Sequence, residues 1–283
     1  MIDYLQRVAG YCLTGSTNEQ VFFFVYGEGG TGKSVFMETL HYVMGDYAMT
    51  APTSTFVESF NKSSVPNDKA RLANQRLVLV NEVSEGQKWD ESFIKDVTGG
   101  DIITARYLNK EFFDFRPQCK IMIRGNHKPD VRGNDNGIWR RIHLLPFNRV
   151  IPPERRDKDL AAKLRDEASG ILGWAMMGCA EWLRDGLMPP ASVLDAVAEY
   201  HEESDKIGHF LEDCCEVDPD FASPIGDIYE TYKEWTRDNG LGTMSKNKLS
   251  RVLKERGFSQ QRTNKKRLIR GLKLIDADNH IIF

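Results

Sequence analysis

The chain has 283 residues, 41% hydrophobic and 28% charged, with a formal net charge of −3. That balance excludes a disordered or fibrous chain and suits one α/β domain with a smaller companion. No apolar run reaches the length of a membrane span and the N-terminus lacks a signal-peptide pattern, so a cytoplasmic location is expected.

The five cysteines (Cys12, Cys119, Cys179, Cys214 and Cys215) have neither metal nor disulfide spacing, as in a reducing compartment. His201, His209, Cys214 and Cys215 lie close in sequence, but they read as helix surface and core thiols rather than zinc ligands. The small net charge hides a polarised chain. Ser245 to Lys273 holds eleven Lys/Arg and one acid, Glu255, whereas Glu199 to Asp220 holds nine acids and Lys206 alone. A basic segment this one-sided is a candidate nucleic-acid footprint.

Met1 to Leu13 reads as a short amphipathic helix (Leu5, Val8, Cys12) stopped near Gly15. Val21 to Tyr26 is six apolar residues in a row, a strand buried on both faces. It runs into Gly27-x-x-x-x-Gly32-Lys33-Ser34, the Walker A pattern, followed by helical spacing at Val35, Phe36, Thr39 and Leu40. Gly27, Gly29, Gly30 and Gly32 allow backbone N–H groups to turn on phosphates, with Thr31 and Val35 completing the loop and first helical turn. Lys33 is expected to reach the β- and γ-phosphates and the Ser34 hydroxyl to ligate Mg²⁺, so ATP and Mg²⁺ are the expected cofactors.

Thr50 to Asn67 is loop-rich and carries no periodic signal. Leu77 to Val80 is a second buried strand, ending in Asn81-Glu82-Val83-Ser84-Glu85. An apolar strand delivering a carboxylate beside the phosphates is the Walker B arrangement; Glu82 is expected to polarise the attacking water and serve Mg²⁺, with Glu85 in reserve. Asn81 takes a position that is often acidic, which leaves open whether Glu82 meets the metal directly or through water. Asp90 caps a helix to Val97, and "IITARYLNKEFFDF" reads as two short strands around Asn109-Lys110. Ile121 to Ile123 forms a third strand ending in Gly125-Asn126, where the Asn126 amide can sense the γ-phosphate or the lytic water. Trp139-Arg140-Arg141 leads into a fourth strand, Ile142 to Leu145.

The tail is helical from Leu160 through Leu183, ends at Gly186-Leu187 and breaks at Pro189-Pro190; an acidic helix follows through the 190s to the 210s. Ser223-Pro224 is expected to open a helix as N-cap and first residue, with Ile225, Ile228, Tyr229, Tyr232 and Trp235 as its stripe. Ser245 caps another, with Leu249, Val252 and Leu253 inward. Lys246, Lys248, Arg251 and Lys254 face outward, and a hairpin with a basic tip, Thr263 to Arg267, completes a winged-helix-like pattern. DNA contact is assigned to Lys246, Lys248, Arg251, Lys265, Lys266 and Arg267.

The motifs "YGEGGTGKS", "RLVLVNEVSEG", "IKDVTGGDIITARYL", "FDFRPQCKIMIRGNHKP" and "GNDNGIWRRIHLLPF" together resemble the helicase domain of phage and plasmid primase-helicases. That family is similar to the poxvirus primase-helicase and belongs to the superfamily III helicases, AAA+-type hexameric motors. The resemblance implies Lys33 and Ser34 in Walker A, Glu82 in Walker B, Asn126 as sensor, and Arg140 or Arg141 as an arginine finger. Arg106 and Lys110 would lie on a pore hairpin that tracks single-stranded DNA. Thr31 departs from the family's more frequent Asn without changing the phosphate chemistry. A primase domain often lies upstream in this family and this chain starts close to its Walker A loop, so priming is not expected of it.

The expected architecture is thus an α/β P-loop, AAA+-like parallel-sheet core with a helical lead-in and a winged-helix-like C-terminal domain. The expected boundaries are 1–15 for the lead-in, 16–150 for the core, 151–215 for a helical subdomain and linker, and 216–283 for the DNA-binding domain. The expected activity is an ATP-dependent DNA helicase or translocase acting as a ring. Its partners would be single-stranded and forked DNA, other copies of the chain in a hexamer, and a primase or polymerase. The alternative is an ATP-switched replication initiator or loader that binds DNA without unwinding it.

Overall fold

Five parallel strands form the central sheet, in the order β2-β3-β6-β1-β7. They are β1 (Phe22–Tyr26), β2 (Ala48–Ala51), β3 (Leu77–Val83), β6 (Lys120–Gly125) and β7 (Ile142–Pro146). The computed structural model describes residues 1–283 except 59–66, 85, 130, 132–135, 263–266 and 276–283. Within it the chain divides into two compact units, Met1–Ser204 and Asp205–Phe283.

The apolar runs are continuous because both faces of the sheet are covered, and the two-residue period of a strand deals alternate side chains to opposite cores. Phe22, Phe24, Val78, Val80, Ile121 and Ile123 enter one cluster. Phe23, Val25, Leu77, Leu79 and Met122 enter the other. The second cluster is closed by α2 (Lys33–Met44) and by α1 (Ile2–Cys12), which packs on α7 (Ala168–Asp185). The crossing is tight: a Cβ added to Gly10 would lie 2.0 Å from the Cys179 backbone nitrogen, and one on Gly178 2.0 Å from the Gln6 carbonyl oxygen. Only glycine permits that approach.

The connector from α1 to β1 is pinned from within by Lys120, which is buried. Its ammonium donates to the carbonyls of Thr14, Ser16 and Gln118. Burial pushes its pKa down to about 8, and the three carbonyls with the Tyr11 ring offset part of that cost.

Four sequence expectations shift in the fold. The stretch from Thr50, read as loop, begins inside β2, a four-residue edge strand. The acidic helix of the 190s to 210s is two helices, α8 (Ala191–Ser204) and α9 (Lys206–Cys214), parted at Asp205, whose carboxylate caps α9 through the Gly208 N–H. The second compact unit therefore begins ahead of the expected boundary at 216, since Ile207, Phe210 and Leu211 of α9 enter its core.

That unit pairs α9, α10 (Ile225–Asp238) and α11 (Lys246–Glu255) with a three-stranded antiparallel sheet, β8-β10-β9. Its strands are β8 (Cys215–Pro224), β9 (Ser259–Arg262) and β10 (Arg267–Leu274). Ser223 is a buried strand residue and Pro224 is the N-cap of α10, so Ser223 does not cap that helix. Ser245 caps α11 as expected, accepting from the Lys248 N–H. Thr263, Lys265 and Lys266, at the expected basic tip, lie outside the described residues.

Candidate functional site

The functional side chains gather where β1, β3 and β6 end together. Because β6 lies between β1 and β3, the residue after its end falls between the glycine loop and the end of β3. The loop follows β1 directly and gives way to α2 at Lys33, whose N-cap, Gly32, offers no side-chain cap to the first-turn N–H groups. Gly27 has φ 146°, and a Cβ there would come within 2.3 Å of the Phe147 carbonyl oxygen. The chain after β7 runs close over the loop: Phe147 N–H donates to Tyr26 O at 2.7 Å and Ile151 N–H to Gly30 O at 2.9 Å.

Lys33 is only 7% exposed. Its ammonium donates to the carbonyls of Gly27 and Glu28, the latter at 2.7 Å, and to Asn126 Oδ1 at 3.0 Å. All three N–H donors thus meet oxygen acceptors from the loop and Asn126. Burial and, secondly, the Arg124 guanidinium push its pKa down, while Glu82 opposes them. A cavity of about 330 Å³ is bounded by residues 29–35, Glu82, Arg124, Gly125 and Asn126. It contains Gly29, Gly30, Thr31, Gly32, Lys33, Ser34 and Val35 of the expected phosphate loop.

Glu82 reaches this cavity through a backbone irregularity. Val80 pairs with Ile123 and Val83 with Gly125, so β3 carries one more residue than β6 across that interval. Such a bulge re-aims a side chain. Glu82 itself has φ 42°, a left-handed conformation rare for a residue with a Cβ. The Thr53 hydroxyl donates to the carbonyls of Asn81 and Glu82, at 2.6 and 3.1 Å, and so ties down both residues of the bulge. Glu85 lies outside the described residues. Ser34, exposed at the start of α2, and Glu82 are oxygen donors of the kind a hard divalent cation takes.

Sequence reading missed Arg124. Its Nη1 donates to Ser34 Oγ and lies 3.8 Å from Glu38 Oε1. The signal was present: Arg124 breaks the apolar run Ile121 to Ile123 of β6 two residues before Asn126, and residues two apart share a strand face. Thr53, in the segment without periodicity, gave no signal.

The two arginines before β7 differ in kind. Arg141 is 7% exposed; its Nε donates to Thr98 Oγ1 at 3.0 Å and its Nη1 to the Gly137 carbonyl at 2.5 Å. Arg140 is exposed, with Nη2 3.3 Å from Gln20 Oε1. Trp139 and Ile142 are both buried, with Trp139 edge-on to Tyr200 at 5.1 Å.

The expected hairpin is formed by β4 (Ile103–Ala105) and β5 (Phe113–Phe115), with Asn109 left-handed at its turn. Arg106 and Lys110 are exposed on it, with Leu108 (66% exposed) and Phe112 (59%) between and beside them. The Arg106 guanidinium lies 4.8 Å from the Phe112 ring centroid.

In the second unit Lys246, Arg251, Lys254 and Arg267 line a groove of about 610 Å³ between the start of α10, α11 and the β9-β10 strands. Asp227 is the acid in that lining. Lys248 is half-buried on α11 and does not line the groove.

Residues 25–141 match the model of a family of unknown function, DUF5906, and residues 202–273 match the family described as poxvirus D5 protein-like. A protein of Acanthamoeba polyphaga mimivirus named "Putative helicase" is 29% identical over 86% of this chain, which spans 27% of that protein. The protein named primase D5 of Fowlpox virus is 30% identical over 51% of this chain, which spans 19% of it. The chain therefore spans about a quarter or less of these curated relatives. The NrS-1 C-terminal region in its A-form apo structure shares the fold, with a TM-score of 0.51 at 14% identity over 91% of this chain and 67% of that one. Through residues 202–273 and through these curated relatives, then, the chain is similar to the D5-like primase-helicases of large DNA viruses.

Proposed function

We propose that this chain is the ATP-hydrolysing motor of a viral replication helicase, a P-loop, AAA+-like core joined to a winged-helix-like DNA-binding unit. The observation that carries the reading is the convergence of Lys33, Ser34, Glu82 and Asn126 on one cavity at the ends of three parallel strands. The strand order supports it too, because Asn126 falls between the Walker A and Walker B ends, where it can report on a γ-phosphate.

ATP binding would exchange the Lys33 hydrogen bonds to Gly27, Glu28 and Asn126 for bonds to phosphate oxygens, while the loop N–H groups hold the β-phosphate. Ser34 and Glu82 would hold Mg²⁺, which supplies neutralising charge to the β- and γ-oxygens when bound. The Glu82 carboxylate would orient the attacking water and accept its proton. Asn126, released from Lys33, would hydrogen-bond that water or the γ-phosphate. Arg140, the exposed arginine of the pair, would act as the finger toward a neighbouring copy's nucleotide, with buried Trp139 and Ile142 seating its segment. A head-to-tail contact of this type closes into a ring where the rotation per copy permits it, here as a hexamer.

The β4-β5 hairpin offers cations for the phosphate backbone and exposed apolar and aromatic surface for bases, as single-strand tracking requires. The groove of the second unit offers Lys246, Arg251, Lys254 and Arg267 for backbone contacts. A strand-displacement assay on forked DNA, with ATP and with either single-stranded tail removed in turn, tests the proposal. ATP-dependent displacement that fails when one particular tail is missing is expected. ATP-dependent DNA binding without displacement on any fork would favour an initiator or loader.

A further inference from the structure

Arg124 is a cation at the glycine loop that the motifs leave without a role. It sits beside Val25 in the β1-β6 register, with its guanidinium bridging two residues one turn apart on α2, Ser34 and Glu38. Neither partner accounts for an arginine at this position. Glu38 is 71% exposed and 3.8 Å away, longer than the roughly 2.7–2.9 Å of a charge-assisted hydrogen bond. Such an exposed pair is worth little. Ser34 contributes one neutral oxygen. Both contacts pass through Nη1, so the paired-donor fork that suits arginine to carboxylate and phosphate is used on neither. A second cation also stands at an unfavourable place here, since Lys33 borders the same cavity. Two like charges around one cavity become favourable together once a polyanion lies between them.

We infer that Arg124 is a phosphate ligand of its own subunit: it exchanges the Ser34 hydroxyl for a terminal phosphate oxygen when a nucleoside triphosphate enters. This rests on the nucleotide-binding reading of the glycine loop. The exchange also frees the Ser34 oxygen. A guanidinium donating to that oxygen and a divalent cation ligated by it would stand a few ångströms apart with like charge, so the Arg124–Ser34 bond and metal ligation by Ser34 exclude one another. Arg124 thus acts within its own copy of the chain, unlike the Arg140 finger, and its effect is on binding before any ring contact is needed.

The test is calorimetric titration of the full chain with ATP and with ADP, in EDTA and in Mg²⁺, for the parent, Arg124→Gln, Arg124→Lys, Glu38→Gln and Lys33→Ala. Thermal melts of each protein establish that it is folded. Arg124→Gln is expected to weaken metal-free ATP binding about tenfold, with a smaller loss for ADP. Arg124→Lys should recover part of that loss, and Glu38→Gln, which releases Arg124 from its acid, should bind ATP at least as tightly as the parent. Were Arg124→Gln to bind metal-free ATP like the parent while Lys33→Ala is weakened, the inference is overturned and the nucleotide reading stands. A parent that binds neither nucleotide in either buffer overturns both.

Discussion

Lys33 and Glu82 make separable contributions, and their variants should fail differently. Glu82→Gln keeps the shape and a hydrogen-bonding amide but cannot take a proton. ATP affinity should therefore persist while hydrolysis drops about a hundredfold or more, read from nucleotide titration and phosphate release on the same preparation. Unchanged turnover would remove Glu82 from the chemistry. The left-handed φ of Glu82 and the two hydrogen bonds from Thr53 suggest that the bulge is maintained for this side chain.

Arg140 and Arg141 form the sharpest residue-level contrast. Arg141 bonds the buried Thr98 hydroxyl and the Gly137 carbonyl inside the first unit, so Arg141→Ala removes a buried hydrogen bond, leaves a cavity and should cost about 2–4 kcal/mol of stability. Arg140→Ala should leave the melting temperature near that of the parent and slow ATP hydrolysis on the order of a thousandfold. Denaturant melts and turnover rates of the two variants check both statements. Equal stability losses would contradict the division of roles.

At the scale of elements, α1 is joined to the sheet by a titratable contact. The Tyr4 hydroxyl and His143 Nδ1 share a hydrogen bond that links α1 to β7, and burial pushes the His143 pKa down to about 4. Unfolded histidine takes its proton near pH 6.5. Below that pH the unfolded chain binds a proton that the folded chain refuses. The stability contribution is therefore full above about 6.5 and is lost as pH falls toward 4, by up to about 3 kcal/mol. Urea melts at pH 7 and pH 5 should show this loss, and His143→Gln should flatten it. A parent with equal stability at both pH values would contradict the assignment.

The β4-β5 hairpin carries the second element-scale prediction. Phe112→Ala and Lys110→Ala should leave basal ATP hydrolysis within about twofold of the parent, since neither residue borders the glycine-loop cavity. Single-strand affinity should fall, by about 1–3 kcal/mol for the aromatic if a base stacks on it. Fluorescence anisotropy with an oligothymidine probe reads the effect. Affinity unchanged in both variants would leave the hairpin without a DNA role.

What the sequence made legible at this scale follows from burial. The strands β1, β3, β6 and β7 are buried on both faces and announce themselves as apolar runs. β2 is a four-residue edge strand, Ala-Met-Thr-Ala, with too few apolar residues for a period to register. β8 is exposed along most of its length and pairs with β10 only. Its pairing skips from Ala222 to Val217 against Arg270 and Leu272, so Asp218, Pro219 and Asp220 sit in an irregular stretch that gives no strand signal. Proline is tolerated at such an edge. The site was legible where a motif names the residue, as at Lys33, Ser34, Glu82 and Asn126. Arg124 was missed although its charge breaks an apolar run, and Thr53 was not legible, because its bonds to Asn81 and Glu82 depend on how separate segments meet.

For the molecule as a whole, the two units make a claim about division of labour. The first, Met1–Ser204, carries the glycine-loop cavity and the hairpin; the second, Asp205–Phe283, carries the basic groove. The central claim is that the motor works as a ring in which each hydrolytic site is finished by a neighbour's Arg140. The most direct measurement is ATP turnover in mixtures of two inactive variants. Lys33→Ala lacks the phosphate-binding lysine but supplies an intact arginine; Arg140→Ala has the reverse defect. Mixed rings should regain a fraction of parent turnover, because some interfaces join an intact Lys33 to an intact Arg140. If co-purification establishes mixed assemblies and turnover stays at the level of the separate variants, the sites are not shared between copies and the ring account is contradicted.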